Sequence, residues 1–161
     1  MEGSPATEPP PLLQSGFGIR RTLHDLSGAV VDPQGLRQGD MLVVLLEGEA
    51  QSEGLTHQAL IVDPLPAGLE VENARLAHAR TTEGLEWLGE LSATLYSEAL
   101  DDRFVAALDL GSDQRKFRLA YLARAVTPGR YRAPPTEVED MYKPQYRGRG
   151  ESGWLSVAPA Q

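Results

Sequence analysis

From Lys116 to Val126 the chain alternates with period two: Phe117, Leu119, Tyr121, Ala123 and Ala125 fall on one face, Arg118 and Arg124 on the other. Successive side chains of a strand point to opposite faces, so this segment predicts a strand with one side against a core. Phe17, Ile19, Arg21 and Leu23 alternate less cleanly with Gly18, Arg20, Thr22 and His24 and predict another. Met41 to Leu46 is a continuous apolar run entered through Arg37-Gln38-Gly39-Asp40. A run this short between turn residues predicts a strand buried on both faces.

Ala59 to Val62 is a second such run, closed by the turn-rich Asp63-Pro64-Leu65-Pro66-Ala67-Gly68. Leu69, Val71, Ala74 and Leu76 continue as a ragged strand. Phe104 to Leu110 predicts a strand that Gly111-Ser112-Asp113 would turn back onto Lys116 to Val126 as a hairpin. Trp154, Ser156 and Val157 predict a last short strand. Between them, Trp87, Leu88, Leu91 and Leu95 have spacings of three and four that predict a short helix with one apolar face, although Gly84 and Gly89 oppose it. Seven or eight strands punctuated by Gly and Pro predict an all-β fold, an antiparallel β-sandwich.

A chain of 161 residues suits one domain. Residues 1–14, with Pro5, Pro9, Pro10 and Pro11, read as a flexible Pro-rich linker, and residues 15–161 as the folded domain. A net charge of −8 argues against a phosphate-backbone partner, so nucleic acid is not expected. With no cysteine, this polypeptide can form no disulfide, thiolate metal site or thioester. No apolar run approaches the roughly 20 residues of a membrane span. No signal-peptide pattern opens the sequence, so an export signal would lie on a longer chain.

Catalytic constellations are weak. His24, His57 and His78 form no H-x-x-x-H or H-x-H pattern and read as surface or strand-edge residues, so no metal is expected. No serine occupies a G-x-S-x-G elbow. Asp101-Asp102-Arg103 lacks calcium-loop spacing and reads as a clamp at a turn or strand start. A non-enzymatic domain without a cofactor is expected.

The segment from Pro134 to Pro144 stands apart. Thr136 and Glu139 form a T-x-x-E capping box, which predicts one or two helical turns from Glu137 to about Tyr142. Pro144 would end them. Met141 and Tyr142 then sit at the end of a short helical insert. Methionine adapts its shape to what it covers, and tyrosine offers an apolar ring with a polar tip. Two readings stay open on these residues: they cover a partner surface, or they pin the insert onto its own sandwich.

The run Arg124-Ala125-Val126-Thr127-Pro128-Gly129-Arg130-Tyr131, followed by Pro134-Pro135, Val138-Glu139-Asp140-Met141-Tyr142 and Tyr146-Arg147, resembles the C-terminal domain of bacterial alpha-2-macroglobulins. So do Gln38-Gly39-Asp40, the stretch from Asp63 to Asn73, and Asp101 to Ala107. The resemblance runs from Gly16 to Val157. It implies a macroglobulin-like sandwich, immunoglobulin-like in layout and similar to the receptor-binding domain of the eukaryotic relatives. The family are large proteins of the bacterial periplasm and envelope that entrap peptidases. Cleavage of a bait region rearranges the molecule and exposes an internal thioester.

By resemblance, this domain packs on the thioester domain and shields the thioester. That role carries over onto Met141 and Tyr142, with Thr136, Glu139 and Pro144 in the supporting segment. The partners implied are the thioester domain and other macroglobulin domains of a parent chain, and target peptidases through that parent. Neither a cofactor nor membrane contact by this fragment is implied. The chain departs from the full family in lacking a cysteine and any room for a bait region, so the thioester must belong to another domain. The alternative is a general cell-envelope interaction module that uses the same loop on another protein.

Overall fold

The computed structural model describes residues 13–51, 55–73 and 85–160. In chain order the strands are β1 Leu13–Ser15, β2 Phe17–His24, β3 Leu36–Arg37, β4 Met41–Ala50, β5 His57–Pro64, β6 Leu69–Asn73 and β7 Tyr96–Leu100. They continue as β8 Arg103–Leu110, β9 Lys116–Ala125, β10 Gly129–Ala133, β11 Glu137–Asp140, β12 Arg147–Arg149 and β13 Gly153–Ala158. A six-stranded sheet, β1-β12-β11-β5-β8-β7, faces a four-stranded sheet, β2-β4-β9-β6. A three-stranded sheet, β10-β13-β3, closes one end. All the described ladders are antiparallel except the short β13–β3 pair. The all-β sandwich expected from the alternation is the fold observed.

The main core lies between the two large sheets. Phe17, Val44, Leu46, Leu119 and Tyr121 meet Ile61, Phe104, Ala106, Leu108 and Val138 there. Phe104 and Tyr121 stack with centroids 4.6 Å apart. Burial of large side chains of this kind contributes about 1.5–3 kcal/mol each. A second cluster, including Leu36, Leu42, Leu69, Leu155 and Val157, seats the three-stranded sheet. The third cluster explains the unbroken apolar run of β4: Val43 and Leu45 point away from the sandwich and are covered by Leu88, Trp87 and Leu91.

Three expectations are corrected. The expected amphipathic helix around Trp87 to Leu95 is a single 3-10 turn, Glu86–Leu88, after which Gly89 takes φ +67. The apolar residues there cap the outer face of a sheet one by one, and Leu95 is left exposed. The expected β8–β9 hairpin is also absent. Gly111 and Gln114 make a tight bridge, but β8 stays between β5 and β7 while β9 runs between β4 and β6. The turn carries the chain from one sheet to the other, so Phe117, Leu119 and Tyr121 face β5 and β8 across the core.

The helix expected from Glu137 to Tyr142 is instead the strand β11, paired with β5 on one side and β12 on the other. Its burial alternates: Glu137 and Glu139 face solvent, Val138 and Asp140 are buried. Two ladders engage this short segment on both sides, whereas an isolated helical turn must bear a nucleation cost for one or two bonds. At the other end of the chain, β1 pairs Leu13 and Gln14 with Arg149 and Gly148, so pairing begins inside the expected linker. The rest of that linker lies outside the described residues, as do Ala74, Leu76 and His78.

Candidate functional site

β5 reads His57-Gln58-Ala59-Leu60-Ile61-Val62-Asp63-Pro64, with burial strictly alternating. Period two therefore places His57, Ala59, Ile61 and Asp63 on the inner face. Two of those four are polar, and a buried polar side chain needs a partner. Each finds a partner in the segment from Pro134 to Asp140, and Asp63 two more on β2 and β9.

Asp63 is fully buried. Its Oδ1 accepts from Arg21 at 2.5 Å and from the Thr136 hydroxyl at 2.7 Å, and its Oδ2 accepts from the Tyr121 hydroxyl at 2.5 Å. Arg21 also donates to the Pro134 carbonyl at 2.8 Å. Burial, with the Asp63 charge beside it, pushes the Tyr121 phenol well above its ordinary value, so it remains a donor. Thr136 therefore does not cap a helix. Its hydroxyl is spent on Asp63, which anchors the start of β11 to the sandwich.

His57 anchors the other end. Its Nδ1 lies 2.7 Å from Asp140 Oδ2, and both side chains are essentially without solvent contact. The expectation of a surface or strand-edge histidine holds for neither its burial nor its pairing, because the alternation of β5 turns it inward. Asp140 Oδ1 accepts from the backbone N–H groups of Tyr142 at 2.8 Å and Lys143 at 3.0 Å. Burial pushes the Asp140 carboxyl up, but the bonds from Tyr142, His57 and Lys143 outweigh it and hold it below the ordinary 3.8. An ionised carboxylate can only accept, so this contact calls for the proton to sit on the Nδ1 of His57.

Beyond Asp140 the chain makes a six-residue connection, Met141 to Tyr146, between β11 and β12. Met141 N–H donates to the Gln58 carbonyl at 2.9 Å, which extends the β5 pairing by one bond. Asp140 N–H donates to the Tyr146 carbonyl at 3.0 Å and Tyr146 N–H to the Lys143 carbonyl at 2.9 Å. Lys143 Nζ reaches the Thr56 carbonyl at 3.0 Å, and Ser15 Oγ donates to the Gln145 carbonyl at 3.1 Å. Pro144 supplies no N–H and keeps Lys143 out of helical geometry.

The backbone of this turn is thus clamped on both sides, yet its first two side chains are open. Met141 is 42% and Tyr142 76% exposed, so both keep side-chain surface open to solvent, Tyr142 most of it. Glu139 faces solvent as well. An open groove lies alongside, lined by Tyr142, Lys143, Asp109, Asp113 and Gln114. An apolar-aromatic pair held on a rigid turn suits contact with another surface. Among the described residues no group of three or more His, Asp or Glu is arranged to hold a metal ion.

The sequence reading named Met141 and Tyr142, with Thr136, Glu139 and Pro144 in support, and gave no role to the buried His57, Asp63 and Asp140 that hold this segment. The available signal was the register of β5: two polar residues six apart on the face that also carries Ala59 and Ile61.

Residues 16–145 match the family described as the bacterial alpha-2-macroglobulin MG10 domain. The chain is 40% identical over 149 residues, 88% of its length, to an alpha-2-macroglobulin of Xylella fastidiosa, and covers 9% of that protein. Its structure matches the native conformation of Escherichia coli alpha-2-macroglobulin with a TM-score of 0.83 and 36% identity, covering 94% of this chain and 10% of that one. It matches Salmonella alpha-2-macroglobulin reacted with methylamine with a TM-score of 0.82 and 38% identity, covering 95% and 10%. The chain spans 7–10% of the length of the curated relatives it matches.

Proposed function

Because this chain belongs to the bacterial alpha-2-macroglobulin MG10 domain family, we propose that it serves as the C-terminal domain of a peptidase-trapping protein of the periplasm. In this reading it packs on a thioester domain of the same protein and shields the thioester with Met141 and Tyr142. The fragment does no chemistry itself. It carries no cysteine, so the reactive acyl group belongs to the neighbouring domain.

The observation that carries the proposal is the exposed Met141-Tyr142 pair on a turn whose backbone is held by hydrogen bonds from both sides. An acyl thioester survives only where water and amines are kept from the carbonyl carbon. A flexible loop would admit them at every opening, while a clamped turn holds its cover in place. The thioether side chain and the phenol ring supply apolar bulk without a nucleophilic amine. Activation of the Escherichia coli relative by trypsin is in keeping with a bond that stays covered until cleavage.

The test is made in the protein that carries both domains. Tyr142→Gly should raise methylamine incorporation, or hydrolytic loss of the thioester, before any protease is added. An unchanged thioester lifetime would sink the assignment. Pull-down with the thioester domain separates the alternative: Tyr142-dependent retention supports the shield, and equal retention of unrelated envelope proteins supports a general interaction module.

A further inference from the structure

We infer that His57 is a positioning residue for the Met141–Tyr142 turn, acting through the Asp140 carboxylate; its value to the shield rests on the function proposed above. Position 57 is an inner-face position of β5, between the rings of Phe17 at 4.8 Å and Tyr146 at 5.3 Å. Its ladder partner on β8 is Leu110, buried like Ala59 and Ile61 along the same face. An apolar residue would fill such a site without polar cost. Histidine there makes one hydrogen bond, to Asp140, and leaves Nε2 buried with no partner.

That single bond goes to the group that orders the turn. A carboxylate bonded through one oxygen alone can swing about its side-chain torsions. Asp140 has one oxygen on the Tyr142 and Lys143 amides and the other on His57, so both oxygens are fixed and the plane of the carboxylate is set. Lys143 Nζ, 3.9 Å from Oδ2, is a further charge facing the pair, and it is partly buried against the Tyr146 ring. A partially exposed lysine on a flexible stem cannot hold the plane as a ring packed between two aromatics does. The arrangement links a residue with no surface of its own to the backbone of the two most exposed site residues.

The experiment follows backbone amide exchange in the 161-residue chain. His57→Leu should speed exchange at Tyr142 and Lys143 by at least about tenfold, the scale of one charge-assisted hydrogen bond, while Ala123 in β9 keeps its wild-type rate. His57→Asn, whose amide nitrogen replaces Nδ1 as donor, should restore slow exchange. Wild-type rates at both amides in His57→Leu, or equal acceleration at Ala123, overturn the inference. A readout that needs no variant is the ring nitrogen spectrum of the wild-type chain at neutral pH. A proton on Nδ1 is expected, and an Nε2–H tautomer with bare Nδ1 overturns the inference even if His57→Leu does not fold. In the protein that carries both this domain and the thioester domain, His57→Leu should raise methylamine incorporation and His57→Asn should not. If His57→Leu loosens the turn but Tyr142→Gly leaves the thioester unaffected, the shield falls and the positioning role stands.

Discussion

The hydroxyl of Tyr121 on β9 donates to Asp63 on β5 at 2.5 Å, which joins the two large sheets through the middle of the core. Both side chains are essentially without solvent contact. Removing the hydroxyl leaves the carboxylate with Arg21 and Thr136 and one oxygen short of a donor. Tyr121→Phe should therefore lower unfolding free energy by about 1–3 kcal/mol. Urea denaturation with an unchanged m-value checks it. Asp63→Ala, which strands the Arg21 guanidinium, should cost about 3–5 kcal/mol.

Gly148 of β12 passes over β2 so closely that a Cβ would stand 2.4 Å from the Phe17 carbonyl oxygen. That oxygen is backbone and cannot rotate away. Gly148→Ala should cost about 1–3 kcal/mol, the usual range for overpacking. The loss appears as a lower thermal midpoint. An unchanged midpoint would mean that β12 can lift off β2 freely.

Tyr142 is the most exposed aromatic side chain of the site, with three quarters of its surface open to solvent. Tyr142→Ala should leave the stability of the chain within about 0.5 kcal/mol of wild type, as for surface positions in general. Calorimetry on the isolated chain checks this. A larger loss would show that the ring packs at home, and an apparent effect on a partner would then have a structural explanation.

The acid dependence of Asp140 has a definite sign. Its folded value lies below the ordinary 3.8, so the unfolded chain binds the proton more readily. Its stabilising contribution is complete above 3.8 and is lost as the pH falls through the lower folded value. Comparing wild type with Asp140→Asn across pH 7 to 2 should show a constant stability gap that closes only below about pH 4. A gap that closed near neutrality would show that Asp140 is not the group responsible.

Leu88 covers Val43 and Leu45 on the outer face of the four-stranded sheet and is itself buried. Leu88→Ala should cost about 2–5 kcal/mol, as for other large-to-small changes at buried sites. Denaturant unfolding measures it. A cost near zero would show that the 3-10 segment merely lies on the sheet.

The strands legible from sequence were β4, β5, β8 and β9, with an apolar run or a one-sided alternation, and, from weaker patterns, β2, β6 and β13. The short strands β1, β3, β7 and β12 are three to five residues or fewer and carry no period long enough to read. Segment Glu137–Asp140 was legible as something special but not as a strand. T-x-x-E is a real local preference for a helix, and the open edges of β5 and β12 outweighed it.

Local sequence determined the strand faces, the break points at Gly and Pro, and the Met141-Tyr142 pair as the place to look, because period and turn chemistry act within a few residues. Tertiary structure decided which sheet each strand joined and where the buried polar groups found partners. His57 and Asp140 are 83 positions apart, Asp63 and Thr136 73 apart, and no local rule reaches that far. A buried donor seeks an acceptor in space rather than in sequence. That requirement, met at His57 and Asp63, turned a segment with helical signals into a clamped strand and left Met141 and Tyr142 facing outward.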